Sequence, residues 1–468
     1  MSRQTAPMSM RLAIALMVLA AVTLGRAVMQ AGPSVYPTGT TIYDPTRAWS
    51  GYSVFVLPDT GAALIDMNGR VVKQWATFEG ASGGPMRVLP GGFVMGAVGR
   101  RPPHQESLAV ALFDWSGKEL WRYAGAEEVT LQDGTRAMSA RQHHDWQRVD
   151  FPAGYFSPDA TPRTEGGRTL VLSHRNLANK AIHDQTLEDD RLVEVDATGT
   201  VTWDWAANEH VDELGFSAAA REAIRRAAFN KARASVDWLH VNSASYVGPN
   251  RWFDAGDTRF SPDHVIISSR EANILAVVAR DGRIVWRMGP DYRESEAARA
   301  LGQLIGQHHA HLIPKGLPGA GNLLVFDNGG AAGYGAPTAA APNGVNVVSR
   351  GSSRVLEIDP LTLKKVWEYS IAGTESFRFF SHYVSSAQRL PNGNTLITEG
   401  AAGRLFEVTT GGEVVWEYVS PFLSAGQNRT NRVYRAYRVP YDWVPQVEKP
   451  VERAVKPPDN AAFRVPQP

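Results

Sequence analysis

The chain repeatedly shows two short apolar segments separated by a tight polar turn. Six copies follow one pattern: an apolar strand, a turn rich in Asp, Asn or Gly, a second strand with β-branched residues, and a tryptophan. The six tryptophans are Trp75, Trp121, Trp203, Trp286, Trp367 and Trp416. Each copy predicts a β-hairpin, because the turn residues accept the backbone angles of a tight turn. The fifth copy has Pro360 and no glycine, so we expect a different turn there.

We call each tryptophan-ended hairpin a tail. A second hairpin precedes most of these tails, as in MRVLPGGFVMGA (86–97) and AQRLPNGNTLITEG (387–400). Two hairpins make four strands, which form one blade of a β-propeller, and propeller repeats of about 40–50 residues are typical. We therefore predict an all-β fold, a six-bladed β-propeller with four-stranded blades and tryptophans packed between them. The first tail lacks a leading hairpin and the strand pair at 432–444 lacks a tail, so the N- and C-terminal strands are expected to close the ring. A sandwich or two smaller β-domains is the alternative.

Helical segments are few. Residues 217–234 begin at Ser217, a good N-cap, and continue with strong helix formers, which predicts one helix. Residues 293–306 predict a second helix that runs into a histidine-rich strand. We expect three regions: a leader at 1–32, the propeller at 33–445 and a Pro-rich C-terminal arm at 446–468.

Composition and charge limit which classes of partner and which cellular compartment we expect for the chain. The net charge of +1, with mixed signs, gives no reason to expect nucleic acid as a partner. The chain has no cysteine, which excludes disulfides, thiolate metal sites and a cysteine nucleophile. Arg3 and Arg11 precede an apolar run at 12–24, shorter than the roughly 20 residues of a spanning helix. We predict export, with the body periplasmic or anchored to the outer face of the inner membrane by an uncleaved leader; a homo-oligomer is compatible with the sequence.

Histidines recur where a propeller brings strands together. The first strand of each blade lines the central channel, and four of the six units place a histidine in or just before that strand. These residues are His144 in QHHDWQ, His240 in DWLHVNS, His309 and His311 in QHHAHL, and His382 before VSSAQRLPNG. The two-residue period of a strand puts His309 and His311 on one face, with His308 pointing away. We therefore predict a histidine cluster in the channel.

Two kinds of chemistry suit such a cluster. His240, His309 and His311 offer three imidazole ligands for a metal ion. Alternatively, one imidazole attacks a group in transfer while cationic and N–H groups stabilise the charge that develops.

Several segments resemble the bacterial aryl-sulfate sulfotransferases. They are DWLHVNS, QHHAHLIP with LLVFDNG, SRVLEIDP with KKVWEY, and AQRLPNGNTLITEG with GRLFEVT, and the resemblance covers about residues 43–441. It implies an exported six-bladed propeller that needs no nucleotide, cofactor or metal. The implied partners are a small phenolic sulfate ester, which donates a sulfuryl group, and a phenol, which accepts it. The implied mechanism is ping-pong, through a transiently sulfated channel histidine.

The resemblance also implies residue roles. It assigns catalysis to His240, His309, Arg354 and His382, with His382 as the sulfated nucleophile and Arg354 as the arginine that holds the sulfate oxygens. His144 and His311 are expected to bind substrate. The family pattern can instead place an arginine after the DNG turn, where this chain has Gly330, Ala331 and Ala332.

Two other functions are compatible with a propeller. A quinoprotein-type oxidoreductase would need a carboxylate cage for Ca²⁺, whereas the channel positions here are imidazoles. A non-catalytic ligand-binding propeller would use the same histidines only to shape a pocket.

Overall fold

A computed structural model describes residues 37–80, 83–100, 106–131, 133–427 and 429–457. Three α-helices lie in this part of the chain: Ala218–Arg225, Arg251–Asp254 and Glu296–Leu301. The 3₁₀ helices are Ala76–Phe78, Pro152–Gly154, Ala207–His210, Thr258–Phe260, Gly373–Arg378, Gly400–Ala402 and Tyr441–Trp443. Among the described residues no helix is long and apolar enough to cross a bilayer. The predicted leader, 1–32, lies outside them.

Three sheets consist of four antiparallel strands each. Sheet 1 contains Ala436–Val439, Tyr52–Leu57, Gly61–Ile65 and Val71–Trp75 in that spatial order. Sheet 3 contains Val241–Tyr246, Val265–Ser269, Ile274–Val278 and Ile284–Met288. Sheet 4 contains His308–Leu312, Leu323–Asp327, Arg354–Ile358 and Lys365–Tyr369.

The remaining sheets are larger or much smaller. Sheet 5 adds the N-terminal strand to four consecutive ones: Ser386–Arg389, Thr395–Glu399, Arg404–Val408, Val414–Val419 and Gly39–Tyr43. Sheet 2 has nine strands: Arg87–Leu89, Phe93–Arg100, Ser107–Phe113, Glu119–Tyr123, Gln142–Arg148, Thr169–Leu177, Leu187–Val195, Val201–Ala206 and Val236–Asp237. Its two halves meet through the single pair Gln142 and Ser107. Two small hairpins are Ala126–Thr130 with Arg136–Ala140, and Ala332–Tyr334 with Val345–Val348.

The sheets are arranged like the blades of a propeller. The strand Gln142–Arg148 lies beside Val241–Tyr246, which in turn lies beside His308–Leu312. The side chain of Gln388 accepts from the backbone N–H of Arg438 at 2.7 Å and donates to its carbonyl at 2.8 Å, which ties two neighbouring first strands together. The sheets therefore radiate from a common centre, and the all-β, propeller-like prediction is confirmed.

The tail tryptophans connect neighbouring sheets. Each indole N–H in the following list donates to a backbone carbonyl in the hairpin turn of the next sheet. The bonds are Trp203 to Arg280 (3.0 Å), Trp286 to Pro360 (2.9 Å), Trp367 to Thr410 (2.9 Å) and Trp416 to Met67 (2.8 Å). These tryptophans therefore pack between sheets, as predicted.

The hydrophobic core lies between the sheets, and the channel strands are polar. All six residues of Tyr52–Leu57 are buried, because adjoining sheets cover both faces of the strand. The strand Gln142–Arg148 is equally buried, yet its sequence is QHHDWQR. Burying so many polar groups is costly unless they are hydrogen-bonded, so this strand must carry a network or a site.

Both predicted helices exist but are shorter than expected. The first is capped by Ser217, whose side chain accepts from the N–H of Ala220, and it ends at Arg225 because the chain must turn to bring Val236–Asp237 onto sheet 2. The second spans Glu296–Leu301 and ends at Gly302, whose φ of 76° leaves the helical region.

The described part of the C-terminal arm lies against its own chain. Tyr43 and Val455 exchange two backbone hydrogen bonds of 2.8 and 2.9 Å. The carboxylate of Glu452 accepts from the hydroxyls of Ser50 and Tyr441. This segment therefore packs beside the strand Gly39–Tyr43.

Candidate active site

A cavity of about 380 Å³ opens where the first strands converge. Its lining residues come from five of the predicted units and from the segment before the last strand. They are Gly83, His144, His240, Arg270, His308, His382, Tyr383, Val384, Arg432 and Tyr434. The described lining contains four imidazoles and two guanidinium groups but no carboxylate, so it suits an anionic ligand.

An unusual backbone conformation sets the direction of several histidine side chains. His144, His240 and His309 have φ values of 53°, 51° and 53°, in the left-handed region that non-glycine residues rarely adopt. The strands that contain or directly follow these residues also show register irregularities against their partners. A bulge with a left-handed residue costs about 1–3 kcal/mol and re-aims the side chains at a strand end.

His240 is the cavity imidazole whose charged form is favoured by a neighbouring carboxylate. Its Nδ1 donates to the Asp237 carboxylate over 2.6 Å. Burial opposes the charge, but the Asp237 carboxylate outweighs it and raises the pKa of His240 above its ordinary value. His240 can therefore present a cationic Nε2–H to a ligand.

His144 is a neutral neighbour of His240. The two rings meet edge to face, with their centres 4.9 Å apart. The Nδ1 of His144 lies 2.7 Å from the Nδ1 of His143, which stacks on His174 at 3.5 Å outside the cavity. Burial, together with the positive charge of nearby His240, lowers the pKa of His144 well below its ordinary value.

His308 is oriented by an asparagine from the next strand. The amide of Asn328 donates to the carbonyls of Ser381 (2.6 Å) and Val384 (2.9 Å), which fixes its Oδ1 as an acceptor. The Nδ1–H of His308 donates to that oxygen at 2.8 Å. Burial and the charge of Arg270 lower the pKa of His308 well below its ordinary value, so its Nε2 carries a lone pair.

His382 is the exposed histidine of the cavity. Its ring lies near those of Phe380 and Tyr383, at 6.0 and 4.5 Å, and no described residue hydrogen-bonds its ring nitrogens. Burial and the charge of Arg270 lower its pKa, so the ring is neutral at pH 7. A Cβ at Gly330 would lie 2.6 Å from the carbonyl oxygen of His382, so only glycine permits this close approach.

Two arginines supply the fixed positive charge. Arg270 follows the strand Val265–Ser269, its backbone N–H donates to the carbonyl of His240 at 3.1 Å, and its guanidinium pairs with Glu271. Arg432 lies with its guanidinium 6.0 Å from the ring centre of Tyr383. Neither arginine was predicted from the sequence, because neither lies in a histidine motif.

The structure places the predicted residues in two different layers. His144, His240 and His382 line the cavity, whereas His309 and His311 do not. The Nε2 of His309 lies 3.0 Å from the hydroxyl of Tyr437, and the Nε2 of His311 lies 2.9 Å from that of Tyr155. His309 and His311 lie side by side, with ring centres 4.4 Å apart, as the two-residue period predicts, and His308 points away from them into the cavity.

Arg354 lies outside the cavity, and its side chain is occupied elsewhere. Its Nε donates to Asp327 at 2.7 Å. Its other nitrogens donate to the carbonyls of Leu301, Gly302 and Gln303, at 3.1 to 3.2 Å, at the end of the helix Glu296–Leu301. Arg354 therefore does not line this cavity, whose guanidinium groups come from Arg270 and Arg432.

A second cluster fills the channel around Asp145. Its carboxylate pairs with the guanidiniums of Arg87 and Arg435, each at 2.9 Å. Burial opposes ionisation, but these two charges outweigh it and lower the pKa of Asp145. We call this group the hub cluster; it consists of Arg87, Asp145, Tyr155, His309, His311, Arg435 and Tyr437.

The histidines predicted as possible metal ligands lie in two different clusters. The predicted trio does not assemble, because His240 lies in the cavity and His309 and His311 lie in the hub cluster. His143, His174 and Asp190 offer donor atoms within 4.8 Å of one another. Their two rings, however, stack at 3.5 Å with an interplanar angle of 15°, whereas two imidazoles on one tetrahedral ion have centres about 5 Å apart. The described residues of this set are therefore not arranged as a metal centre.

A second donor set, Glu106, His174 and Glu188, is equally unsuited to a metal. Arg141 binds Glu106 at 3.0 Å and Arg233 binds Glu188 at 2.6 Å. Arg141 and Arg233 thus already supply the positive charge that a metal ion would provide.

A family model described as Arylsulfotransferase (ASST) matches residues 144–434 of the chain. That range contains every lining residue of the cavity except Gly83. No curated protein matches the chain.

Solved structures show only distant similarity. A protein of unknown function from Bacteroides caccae is 12% identical, with a TM-score of 0.40, covering 83% of this chain and 99% of that one. A streptogramin B lyase is 11% identical, with a TM-score of 0.36 and coverage of 85% and 86%. A europium-containing methanol dehydrogenase is 11% identical, with a TM-score of 0.35 and coverage of 79% and 67%. Similarities this weak carry no argument about function.

Proposed function

The chain belongs to the arylsulfotransferase family, and from that premise we propose that it moves a sulfuryl group from an aryl sulfate ester to a phenol without a nucleotide donor. The cavity is the observation that carries this proposal. Its described lining combines four imidazoles, two guanidiniums and two tyrosine rings, with no carboxylate to repel a sulfate ester. At about 380 Å³ it lies at the small end of ligand pockets, which favours a substrate of one or two rings.

His382 is the proposed nucleophile of a ping-pong reaction. It is neutral and exposed to the cavity, and its nitrogens are not hydrogen-bonded to any described residue. A ring nitrogen attacks sulfur, the bond from sulfur to the phenolic oxygen breaks, and the phenol departs after gaining a proton. An acceptor phenol then loses its proton and attacks the sulfohistidine, and the N–S bond breaks to restore His382.

Charge on the sulfuryl oxygens would be stabilised by three cationic groups. Arg270 and Arg432 supply guanidinium donors, and His240 supplies an imidazolium that Asp237 keeps protonated. Positive groups that are already in place stabilise developing charge with little reorganisation, and this stabilisation is usually the main source of rate acceleration in such catalysis. Tyr383 and Tyr434 offer rings against which the aryl groups can pack.

The proposal includes six blades closed into a ring. The two halves of sheet 2 each contain a four-stranded run, which together with sheets 1, 3, 4 and 5 would make six. Closure is supported by the pairing of Tyr52–Leu57 with Ala436–Val439, near the two ends of the chain. It is also supported by the bond from Trp416 to Met67. A closed ring would hold histidines from distant segments at fixed separations.

Export is also part of the proposal. The basic residues Arg3 and Arg11 with the apolar run at 12–24 support a secretory leader or a membrane anchor. The enzyme would then meet its sulfate esters outside the cytoplasm. Fractionation of cells that express the full chain, followed by N-terminal sequencing, separates a cleaved from an uncleaved leader.

The direct test is transfer from 4-nitrophenyl sulfate to phenol by purified protein in buffer free of nucleotides. We expect nitrophenolate release that depends on phenol, together with formation of phenyl sulfate. Folded protein that releases no nitrophenolate from any aryl sulfate would favour a ligand-binding propeller. A bound chromophore with quinone absorbance would favour an oxidoreductase, although the described lining of the cavity has no carboxylate to cage Ca²⁺.

A further inference from the structure

A buried row of side chains leads away from the cavity behind His144. The Nδ1 of His144 lies 2.7 Å from the Nδ1 of His143. The Nε2 of His143 lies 3.4 Å from Oδ1 of Asp190. His143 and Asp190 are 0% and 1% exposed, and neither of these two facing atoms has a hydrogen-bond partner among the described residues.

The facing ring nitrogens of His143 and His144 can share only one proton. A bond between two neutral ring nitrogens contains one proton, so His143 and His144 must be opposite tautomers. Burial and neighbouring imidazoles lower the pKa of both rings, which makes the neutral forms the relevant ones. Since the Nδ1 of His144 faces His143, its Nε2 is the nitrogen that faces the cavity.

His174 does not compete for the role of His143. Its Nδ1 lies 3.0 Å from Oε1 of Glu106, so its proton belongs on Nδ1. The Nε2 of His174 lies 3.8 Å from Oδ1 of Asp190, beyond hydrogen-bonding distance and farther than the Nε2 of His143. His143 is therefore the histidine that can exchange a proton with Asp190. The distance of 3.4 Å is long for a hydrogen bond, and such contacts often tighten when substrate binds.

We propose that Asp190 is the proton reservoir of the transfer reaction, connected to the cavity through His143 and His144. The inference rests on the proposed sulfotransferase function. In the resting form Asp190 is protonated and donates to Nε2 of His143. The Nδ1–H of His143 donates to Nδ1 of His144, and the Nε2–H of His144 points into the cavity.

The donor half-reaction uses this proton. As the S–O bond breaks, the leaving phenolate takes the proton from Nε2 of His144. His144 receives the Nδ1 proton of His143, and His143 receives the proton of Asp190 on its Nε2. The row has then lost one proton in total, Asp190 is a carboxylate, and both imidazoles stay neutral.

The acceptor half-reaction reverses each transfer. The incoming phenol gives its proton to Nε2 of His144 as its oxygen attacks the sulfohistidine. His144 returns a proton to His143, and His143 returns one to Asp190. The enzyme ends in its resting form, so the proton balance closes over one turnover.

The surroundings of Asp190 favour the protonated form of its carboxyl group. Burial and the adjacent carboxylates of Asp237, Asp189 and Glu188 all disfavour its ionised form, and they raise its pKa well above the ordinary value. The backbone N–H of Val241 donates to Oδ2 at 3.0 Å, which leaves Oδ1 for the relay. His143 and His174 are the titratable rings that face this oxygen.

The test is the dependence of the donor kcat/KM on the basicity of the leaving phenol, measured for Asp190→Asn. In a ping-pong enzyme this constant reports only the first half-reaction. Asparagine can still donate to His143 but cannot release a proton. We expect phenyl sulfate, with a strongly basic leaving group, to react about 10²-fold more slowly, and 4-nitrophenyl sulfate to change little. His143→Gln should show the same selective loss, and it serves if Asp190→Asn does not fold.

Asp189→Asn is the matched control, because it removes a buried carboxylate from the adjacent position of the same strand. We expect its leaving-group dependence to match the wild type, even if its stability is lower. An unchanged dependence in folded Asp190→Asn and His143→Gln would overturn the relay while leaving sulfotransfer intact. Absence of transfer in the wild type would instead overturn the proposed function. Stoichiometric metal in the wild type that is lost in Asp190→Asn would identify a metal ligand and also overturn the relay.

Discussion

The cavity and the hub cluster use the same residue types, histidine, arginine and tyrosine, in adjoining layers of one channel. In the hub cluster the charges are neutralised by Asp145, and His309 and His311 each pair with a tyrosine hydroxyl. In the cavity the described lining has no carboxylate, and His382 has no hydrogen-bond partner among the described residues. The difference shows that residue composition alone does not distinguish these two layers. What separates them is that the hub cluster is buried around a carboxylate, whereas the described cavity lining has no carboxylate and contains an exposed imidazole, His382, with no hydrogen-bond partner among the described residues.

The largest effect is expected for a variant in the cavity. His382→Ala should lower aryl sulfate transfer by about 10³-fold or more, because it removes the proposed nucleophile. Its free energy of unfolding should stay within about 0.5 kcal/mol of the wild type, since the side chain is exposed. Steady-state kinetics and denaturant titration measure the two quantities.

The hub counterpart of that variant is His311→Leu. It leaves the hydroxyl of Tyr155 without its partner, so we expect a loss of stability of about 1–3 kcal/mol. Transfer should remain much closer to wild type than in His382→Ala. If His311→Leu abolished transfer in folded protein, the two layers would not be functionally distinct.

A comparably large effect, on stability alone, is expected for Asp145→Asn. The change leaves Arg87 and Arg435 as buried guanidiniums without a counter-ion. Breaking such a buried ion pair costs about 3–5 kcal/mol. Denaturant titration should show this loss, and an unchanged midpoint would contradict the structural role of the hub cluster.

Two arginine variants, one inside the cavity and one outside it, test the same difference and should have effects of intermediate size. Arg270→Ala should lower kcat/KM by about 10²-fold, because it removes a cation from the cavity, with a minor change in stability. Arg354→Ala should keep transfer but lose about 1–3 kcal/mol of stability, since three carbonyls lose a donor and Asp327 keeps only Arg350 as its ion-pair partner among the described residues. The reverse result would restore the role first expected for Arg354.

The smallest expected effect concerns pH. The pKa of His240 is raised in the folded protein, so its charge, and the stability it contributes, is present below pH 6.5 and lost as pH rises through the folded pKa. Activity that needs the imidazolium should fall along the same limb. Asp237→Asn leaves burial without the compensating carboxylate, so the alkaline limb of kcat/KM should move to lower pH. If the alkaline limb did not move, His240 would not be the charged group on which activity depends.

Local pattern was enough to predict much of the architecture. The hairpins and the tryptophan tails follow from short-range turn chemistry and strand periodicity, and His144, His240 and His382 follow from their places near first strands. That His308 reaches the cavity, rather than His309 and His311, was not predictable, because strand periodicity does not say which side of the strand faces the cavity. Arg270 and Arg432 were missed because the ends of distant segments bring them to the cavity. Asp237, three residues before His240 in DWLH, was a signal that could have been read.

The central claim is a sulfated intermediate on His382. The measurement is mass spectrometry of peptides from enzyme quenched after incubation with 4-nitrophenyl sulfate in the absence of acceptor. The account predicts the mass increment of one SO₃ group on the peptide that contains His382, and its disappearance when phenol is added before quenching. The same increment on a peptide carrying His308 or His144 instead, or no increment during active transfer, would contradict it.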